Sequence, residues 1–141
     1  MEHTGWSPEL IQQRPESNIF YAKRLSRLSQ LAGMEDVVFN EQFNDFVTEL
    51  EHDFFVEEQW MEEIEFASVK DHREMHAEVL SLLHHAQART MSGDYTLARK
   101  IVGLLPHWFT CHNSSMDTAL ADAMHHHHVL ISRPALLQRV A

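Results

Sequence analysis

A chain of 141 residues that is 44% hydrophobic and 23% charged has the size and composition of one globular domain with its own core. Its formal charge of −10 opposes binding to nucleic acid or to an anionic membrane surface, and no apolar run approaches the roughly 18 residues that would span a bilayer. The single cysteine, Cys111, excludes an internal disulfide, and the N-terminus lacks a basic region followed by an apolar run, so we expect a cytoplasmic protein.

Apolar residues recur at helical spacing in four segments, and only four glycines and four prolines interrupt the chain, which favours long helices. The segments are predicted from Glu16 or Ser17 to Leu31 or Ala32, from Val37 to Ile64 or Phe66, from Val69 to about Met91, and from Tyr95 to about Met124. Joined by short connections, they predict an all-α, antiparallel up-and-down four-helix bundle. We expect residues 1–124 to form this bundle together with a non-helical N-terminal arm, in which Trp6 packs onto the helices. Residues 125–141, which include His125 to His128, would form a short C-terminal extension.

Four side chains on the second and third predicted helices are spaced to face one centre. Asp53 and Glu57 are four residues apart, and so are His72 and His76, so each pair projects from one face of its helix. The two carboxylates also fall within the apolar stripe, where a charged group is costly unless it is paired or bound to metal. Oxygen and nitrogen donors brought together in this way are typical of a metal site.

The last predicted helix adds His112 and Asp117, which are five residues apart. On a regular helix that spacing rotates the second side chain by about 140° from the first. A widened turn of the π type would bring both to one face, and such turns are frequent at functional sites. We therefore predict a π-type turn between His112 and Asp117.

Each of these residues has a simpler explanation when it is taken alone. An inward histidine is often a hydrogen-bonded core residue, and acidic residues on a helix that is rich in them are often solvated. The joint arrangement on three helices favours metal binding over these alternatives. The donor types leave iron, manganese and zinc open.

The same residues resemble the signature of the bacterial hemerythrins. The run D-F-F-V-E-E-Q-W-M is similar to a histidine followed by F-x-x-E-E-x-x-M, and the H-x-x-x-H pair begins fifteen residues after Glu57, as in that family. The motif W-x-x-x-H-x-x-x-x-D that ends at Asp117 matches the family's last helix, and W-S-P-E-L near the N-terminus is similar to its opening. The resemblance extends over about residues 6–120.

This resemblance implies a four-helix bundle that holds an oxo-bridged di-iron centre and binds dioxygen reversibly. One iron would take three histidines, and two carboxylates would bridge both irons. By their positions in the motifs, these five residues are His72, His76, His112, Glu57 and Asp117.

The expected ligands of the second iron depart from the family pattern, which has one histidine on the first helix and one on the second. Asp53 stands at the position on the second helix. His52 is adjacent, but a one-residue step turns a side chain by about 100° away from Glu57. The first helix contains no histidine, and the best alignment places Tyr21 at that position and Asn18 at a preceding aspartate.

Ser17 or Phe20 would take the place of Tyr21 if the arm differed in length. Two outcomes follow for the second iron. Either Asp53 and Tyr21 ligate it in an oxygen-richer site, or a single metal is held by the three histidines with one or both bridging carboxylates. An occupied second site is favoured, because a buried Asp53 without a metal would be costly.

Three functions are consistent with these residues. The first is an iron protein that binds dioxygen, or a related molecule such as nitric oxide, for carriage, storage or sensing; a sensor would act through a separate signalling partner. The second is an oxidase or peroxidase with one or two irons, in which Asp53 and Tyr21 replace the usual histidines. The third is a domain that keeps the fold and uses a metal, or nothing, structurally.

Overall fold

Four helical segments joined by short connections make up the part of the chain that the computed structural model describes, residues 17–131, with side chains for residues 21–126. The elements are α1 (Ser17–Ala32), α2 (Asp36–Glu63), α3 (Val69–Met91), α4 (Thr96–His112), a π-helical turn (Asn113–Asp117) and α5 (Thr118–Ile131). The last three follow one another without a break and form the fourth helix of the bundle. The predicted all-α four-helix bundle is confirmed.

Neighbouring helices run antiparallel, because contacts between them pair residues late in one helix with residues early in the next. Between α2 and α3 these contacts are Glu62–Arg73, Glu51–His84 and Asn44–Gln87. Tyr21 at the start of α1 contacts Thr110 near the end of α4, and Met34, just after α1, contacts Arg99 near the start of α4. Short connections permit only this direction for successive helices.

Polar side chains and one glycine shape the connections. Asp36 is the first residue of α2, and its Oδ1 accepts a hydrogen bond from Arg99 Nη2 at 2.8 Å. Between α3 and α4, Gly93 has φ +89°, a left-handed conformation that side chains disfavour. Asp94 Oδ1 then accepts a hydrogen bond from the Thr96 backbone N–H at 3.0 Å, which satisfies one donor at the start of α4.

The fourth helix is longer than predicted. It continues to Ile131, past the expected end near Met124, so His125 and His126 are exposed on a helix. The predicted arm, with Trp6, and the part of the C-terminal extension beyond Ile131 lie outside the described residues. Of the described helices, none is long and apolar enough to cross a membrane.

Within the described residues, the core consists of two apolar clusters with a polar layer between them. On α2, Phe54 belongs to the larger cluster and Met61 to the smaller one, and Glu57 lies between them. The fourth helix repeats this order, with Phe109 in the larger cluster and Leu120 in the smaller. Burying a side chain of this size contributes about 1.5–3 kcal/mol, so both clusters stabilise the helices that hold the polar layer. The buried charged and imidazole groups of the layer are Glu57, His72, His76, His112 and Asp117.

Candidate metal centre

The five predicted ligands of one metal meet in the polar layer. α2 contributes Glu57, α3 contributes His72 and His76 one turn apart, and the fourth helix contributes His112 and Asp117. The predicted π-type turn is confirmed, because residues Asn113–Asp117 form a π-helical turn and Asp117 is buried. The wider turn accommodates one extra residue, so His112 and Asp117 share one face of the helix.

The donor atoms of these side chains lie close enough to share one ion. Four ligand atoms lie within 4.8 Å of one another, one from each of Glu57, His72, His76 and His112. His72 Nε2 is 3.1 Å from His112 Nε2, and His76 Nε2 is 3.1 Å from Glu57 Oε1. Asp117 Oδ1 completes the group at 3.1 Å from His112 Nε2 and 3.3 Å from His72 Nε2.

Several atoms of this group have no hydrogen-bond partner among the described residues, although they are buried. They include Glu57 Oε1, His76 Nε2 and Asp117 Oδ1. Buried polar atoms without partners are costly, and lone pairs that converge on one point are satisfied by a cation. Three imidazole nitrogens and two carboxylate oxygens are a donor set suited to a first-row transition metal. The residues present therefore fit one bound metal ion.

Neighbouring side chains hold the imidazoles in place. The Phe54 ring stacks on His76, with centroids 3.7 Å apart and planes 3° from parallel, and Trp108 stacks on His112 at 4.5 Å and 13°. His76 Nδ1 is 2.9 Å from Glu58 Oε2, so Nδ1–H donates a hydrogen bond to that carboxylate and Nε2 keeps its lone pair. Sequence reasoning missed Glu58, although a carboxylate next to a predicted ligand was a signal that could have found it.

The pKa shifts of two groups in the layer reflect the close approach of carboxylates and imidazoles. Burial alone would raise the pKa of Glu57, but close contacts with His72 and His76 and the charge of Arg24 outweigh it, and the pKa lies below its ordinary value. Burial would lower the pKa of His72, but contacts with Asp117 and Glu57 raise it to about 9. Both shifts arise because two buried carboxylates face these imidazoles.

Arg24 of α1 reaches the same carboxylates from the other side, which the sequence did not predict. Its Nη2 atom is 3.4 Å from Glu57 Oε2 and 3.7 Å from Asp53 Oδ2, and its Nη1 atom is 3.8 Å from Asp117 Oδ2. The signal available was a basic residue three positions after Tyr21, on the inner face of α1. A guanidinium is not a metal ligand, so the spacing of metal-binding groups does not predict Arg24 at this position.

Asp53 lies at the edge of the layer. Its side chain is 43% exposed, so the expectation that Asp53 is buried is wrong. Burial raises the pKa of Asp53, and the charge of Arg24 opposes that increase. The neighbouring His52 is exposed, as its position on the helix predicted.

Tyr21 does not join the cluster in this structure. Its hydroxyl is 2.7 Å from Thr110 Oγ1, so it links α1 to α4 by a hydrogen bond. Ser17, Asn18 and Phe20, the other candidates on this helix, have side chains outside the described range.

Three histidines and two carboxylates that converge inside a four-helix bundle define a non-haem metal protein of the histidine–carboxylate class. Comparison with known proteins narrows this class. The chain is 30% identical over 112 residues to a protein named Bacteriohemerythrin from Ralstonia nicotianae (strain ATCC BAA-1114 / GMI1000), a match that covers 79% of this chain and 82% of that relative. The chain belongs to the bacteriohemerythrin family. No protein-family model matches it, and no solved structure does.

Family membership confirms the resemblance and adds to the geometry of the site. A hemerythrin-like chain with a buried cluster of Glu57, His72, His76 and His112 is a metal protein, and the family indicates iron as the metal.

Proposed function

We propose that this protein binds dioxygen, or a related diatomic molecule such as nitric oxide, at iron held by Glu57, His72, His76, His112 and Asp117. The observation that supports this most is the convergence of buried oxygen and nitrogen atoms without partners on one point between three helices. Carriage, storage and sensing all require this binding step.

The imidazoles and the carboxylates would contribute differently to binding the ion. The three imidazoles offer neutral nitrogen donors, and Glu58 keeps the Nδ1 proton of His76 on the side away from the centre. Glu57 and Asp117 supply negative charge that offsets the charge of the ion. Iron, when bound, would supply a ferrous–ferric couple and a coordination position for the small ligand.

The surroundings favour a small ligand. Stacked aromatic rings cover His76 and His112, and apolar clusters lie on either side of the layer along the helices. Between α1 and α2, Arg24 and Asp53 line a cavity of about 470 Å³. We propose that small molecules approach the centre from this side, past the guanidinium.

An oxidase or peroxidase activity is the second candidate. Arg24 favours it, because a guanidinium 3.4 Å from Glu57 Oε2 would stabilise negative charge that develops when dioxygen or peroxide is reduced nearby. Under this alternative the centre would consume its ligand instead of releasing it.

Metal analysis and optical spectra of the full chain test the proposal and separate these candidates. Purified protein should contain iron, and anaerobically reduced protein should develop a visible band in air that disappears when oxygen is removed. Irreversible oxidation with turnover of peroxide would favour the enzyme. A colourless protein that retains zinc would contradict both.

Carriage and storage need no other protein, whereas sensing needs a partner that distinguishes two states of this one. For a sensing role we propose a separate signalling partner. The free, exposed thiol of Cys111 suits a reducing compartment, and we propose a cytoplasmic location on that ground. Size-exclusion profiles of cell extracts, with and without oxygen, would reveal a partner that binds in only one state.

A further inference from the structure

The two carboxylates of the centre each face two ways. Glu57 Oε1 and Asp117 Oδ1 point toward the histidines, at 3.1–3.5 Å from imidazole Nε2 atoms. Their second oxygens, Glu57 Oε2 and Asp117 Oδ2, face the guanidinium of Arg24 at 3.4 and 3.8 Å. Each carboxylate therefore lies between the histidine cluster on one side and a fixed positive charge on the other.

Arg24 is held in this position. Its side chain is 10% exposed, and its Cζ atom lies 5.4 Å from the centroid of the Phe109 ring and 5.9 Å from that of Phe54. A guanidinium does not lose its proton at physiological pH, so a buried arginine requires negative partners. The outer oxygens of Glu57 and Asp117 meet that requirement, with Asp53 Oδ2 at 3.7 Å as a third.

A second metal ion does not fit the same space. It would have to bond the outer oxygens of Glu57 and Asp117, which the guanidinium already contacts, and like charges would repel at this distance. The remaining candidate ligands described on this side are the half-exposed Asp53 and Tyr21, and the Tyr21 hydroxyl is bonded to Thr110.

We infer that the centre binds one metal ion, and that the guanidinium of Arg24 supplies the second positive charge that the two carboxylates require. This inference rests on the proposed metal centre and deepens it. A single iron ion exchanges one electron between its ferrous and ferric states. The small ligand would then bind to one iron ion, with the charged N–H groups of Arg24 beside it.

Metal stoichiometry of the full chain tests the inference. Anaerobic titration with ferrous iron, followed by removal of weakly bound ion, should leave one iron per chain in the native protein. Arg24→Ala removes the charge that contacts the outer oxygens, and we expect this variant to retain a second ion. Arg24→Lys keeps a positive charge and should retain one.

Arg27→Ala is the matched control. Arg27 lies one turn further along α1, and its guanidinium contacts Gln42 and Glu49 instead of the centre. This variant should bind one iron, like the native protein. If Arg24→Ala does not fold, the native protein and Arg24→Lys still decide the stoichiometry.

Electron paramagnetic resonance of air-oxidised native protein gives an independent count. A lone high-spin ferric ion is visible, whereas two bridged ferric ions couple and are silent, so we expect a signal that accounts for all bound iron. Two irons per native chain with a silent spectrum would overturn the inference and leave the proposed iron function standing. One iron in Arg24→Ala with unchanged affinity would also overturn it, and a native chain without iron would overturn both proposals.

Discussion

At the scale of single residues, Glu58 illustrates how a side chain outside the cluster controls one within it. Its Oε2 atom accepts a hydrogen bond from Nδ1 of His76 at 2.9 Å, and the carboxylate is half-buried. This contact fixes both the tautomer and the orientation of an imidazole that has 1% of its surface exposed.

Glu58→Ala should therefore weaken metal binding by about 10- to 100-fold, the usual effect of removing a partner of a metal-bound histidine. Glu58→Gln keeps an oxygen acceptor and should lose less. Competition with a coloured chelator would measure both affinities. Glu62→Ala, one turn along α2 at an exposed position, is the control and should bind like the native protein. Equal affinities in all variants would mean that Glu58 does not help to hold His76 for metal binding.

Asp53 and Glu57, four residues apart on α2, are expected to differ in their effect on the centre. Asp53→Asn should leave metal affinity nearly unchanged, because this side chain is 43% exposed and contacts Arg24 instead of the histidines. Glu57→Gln removes a buried carboxylate 3.1 Å from His76 Nε2 and should lower the affinity severely. The same chelator competition measures both. A comparable loss in Asp53→Asn would show that Asp53 is itself a ligand, as the family alignment predicts.

Among the helical elements, the π-helical turn determines both the position of a metal ligand and the packing of α5. It places Asp117 on the face of His112 and, in the same step, sets the direction in which α5 presents Leu120 and Met124 to the smaller apolar cluster. A regular helix through this region would satisfy at most one of these requirements.

Insertion of one alanine after Ser115, an exposed residue within the turn, adds a residue that the turn does not accommodate and should rotate everything after it by about 100°. We expect loss of tight metal binding and a lower melting temperature, with helical content largely kept in far-ultraviolet circular dichroism. Ser115→Ala keeps the length of the turn and serves as the control. Native metal affinity in the insertion variant would contradict the role given to the turn.

The start of α4 provides a pH-dependent prediction. The hydrogen bond from the Thr96 backbone N–H lowers the pKa of Asp94 from its ordinary value. A carboxylate with a lowered pKa stabilises the fold above its unfolded pKa, about 3.9, and this contribution is lost as pH falls through the folded value. Asp94→Ala should thus melt at a lower temperature than the native protein at pH 7, and the difference should disappear once the pH falls below the lowered pKa of Asp94.

Thermal melting across that pH range measures the effect. Asp122→Ala, which removes an exposed carboxylate from α5, should show no such pattern. A difference between Asp94→Ala and the native protein that stays constant with pH would rule out the carboxylate as its source.

At the scale of the whole molecule, helical periodicity predicted the bundle because each helix buries one apolar stripe. The donors on three helices were also predictable. His72 and His76 have helical spacing, and the five-residue interval from His112 to Asp117 requires a wider turn if both face inward.

Arg24 and the exposure of Asp53 were not predictable in the same way. Both depend on how far α1 lies from α2 and on where a long, flexible side chain ends, and neither is encoded in spacing along one helix. An arginine in an apolar stripe has many possible partners, and only the packed structure selects Glu57 and Asp117.

Iron content per folded chain measures whether the buried histidine–carboxylate centre holds a metal ion. We expect the native protein to retain iron through dialysis and His112→Ala, which removes a fully buried donor, to lose it while remaining helical. A matched exposed variant, His85→Ala, should retain iron like the native protein. Equal iron in the native protein and His112→Ala, or no iron in the native protein, would contradict the account.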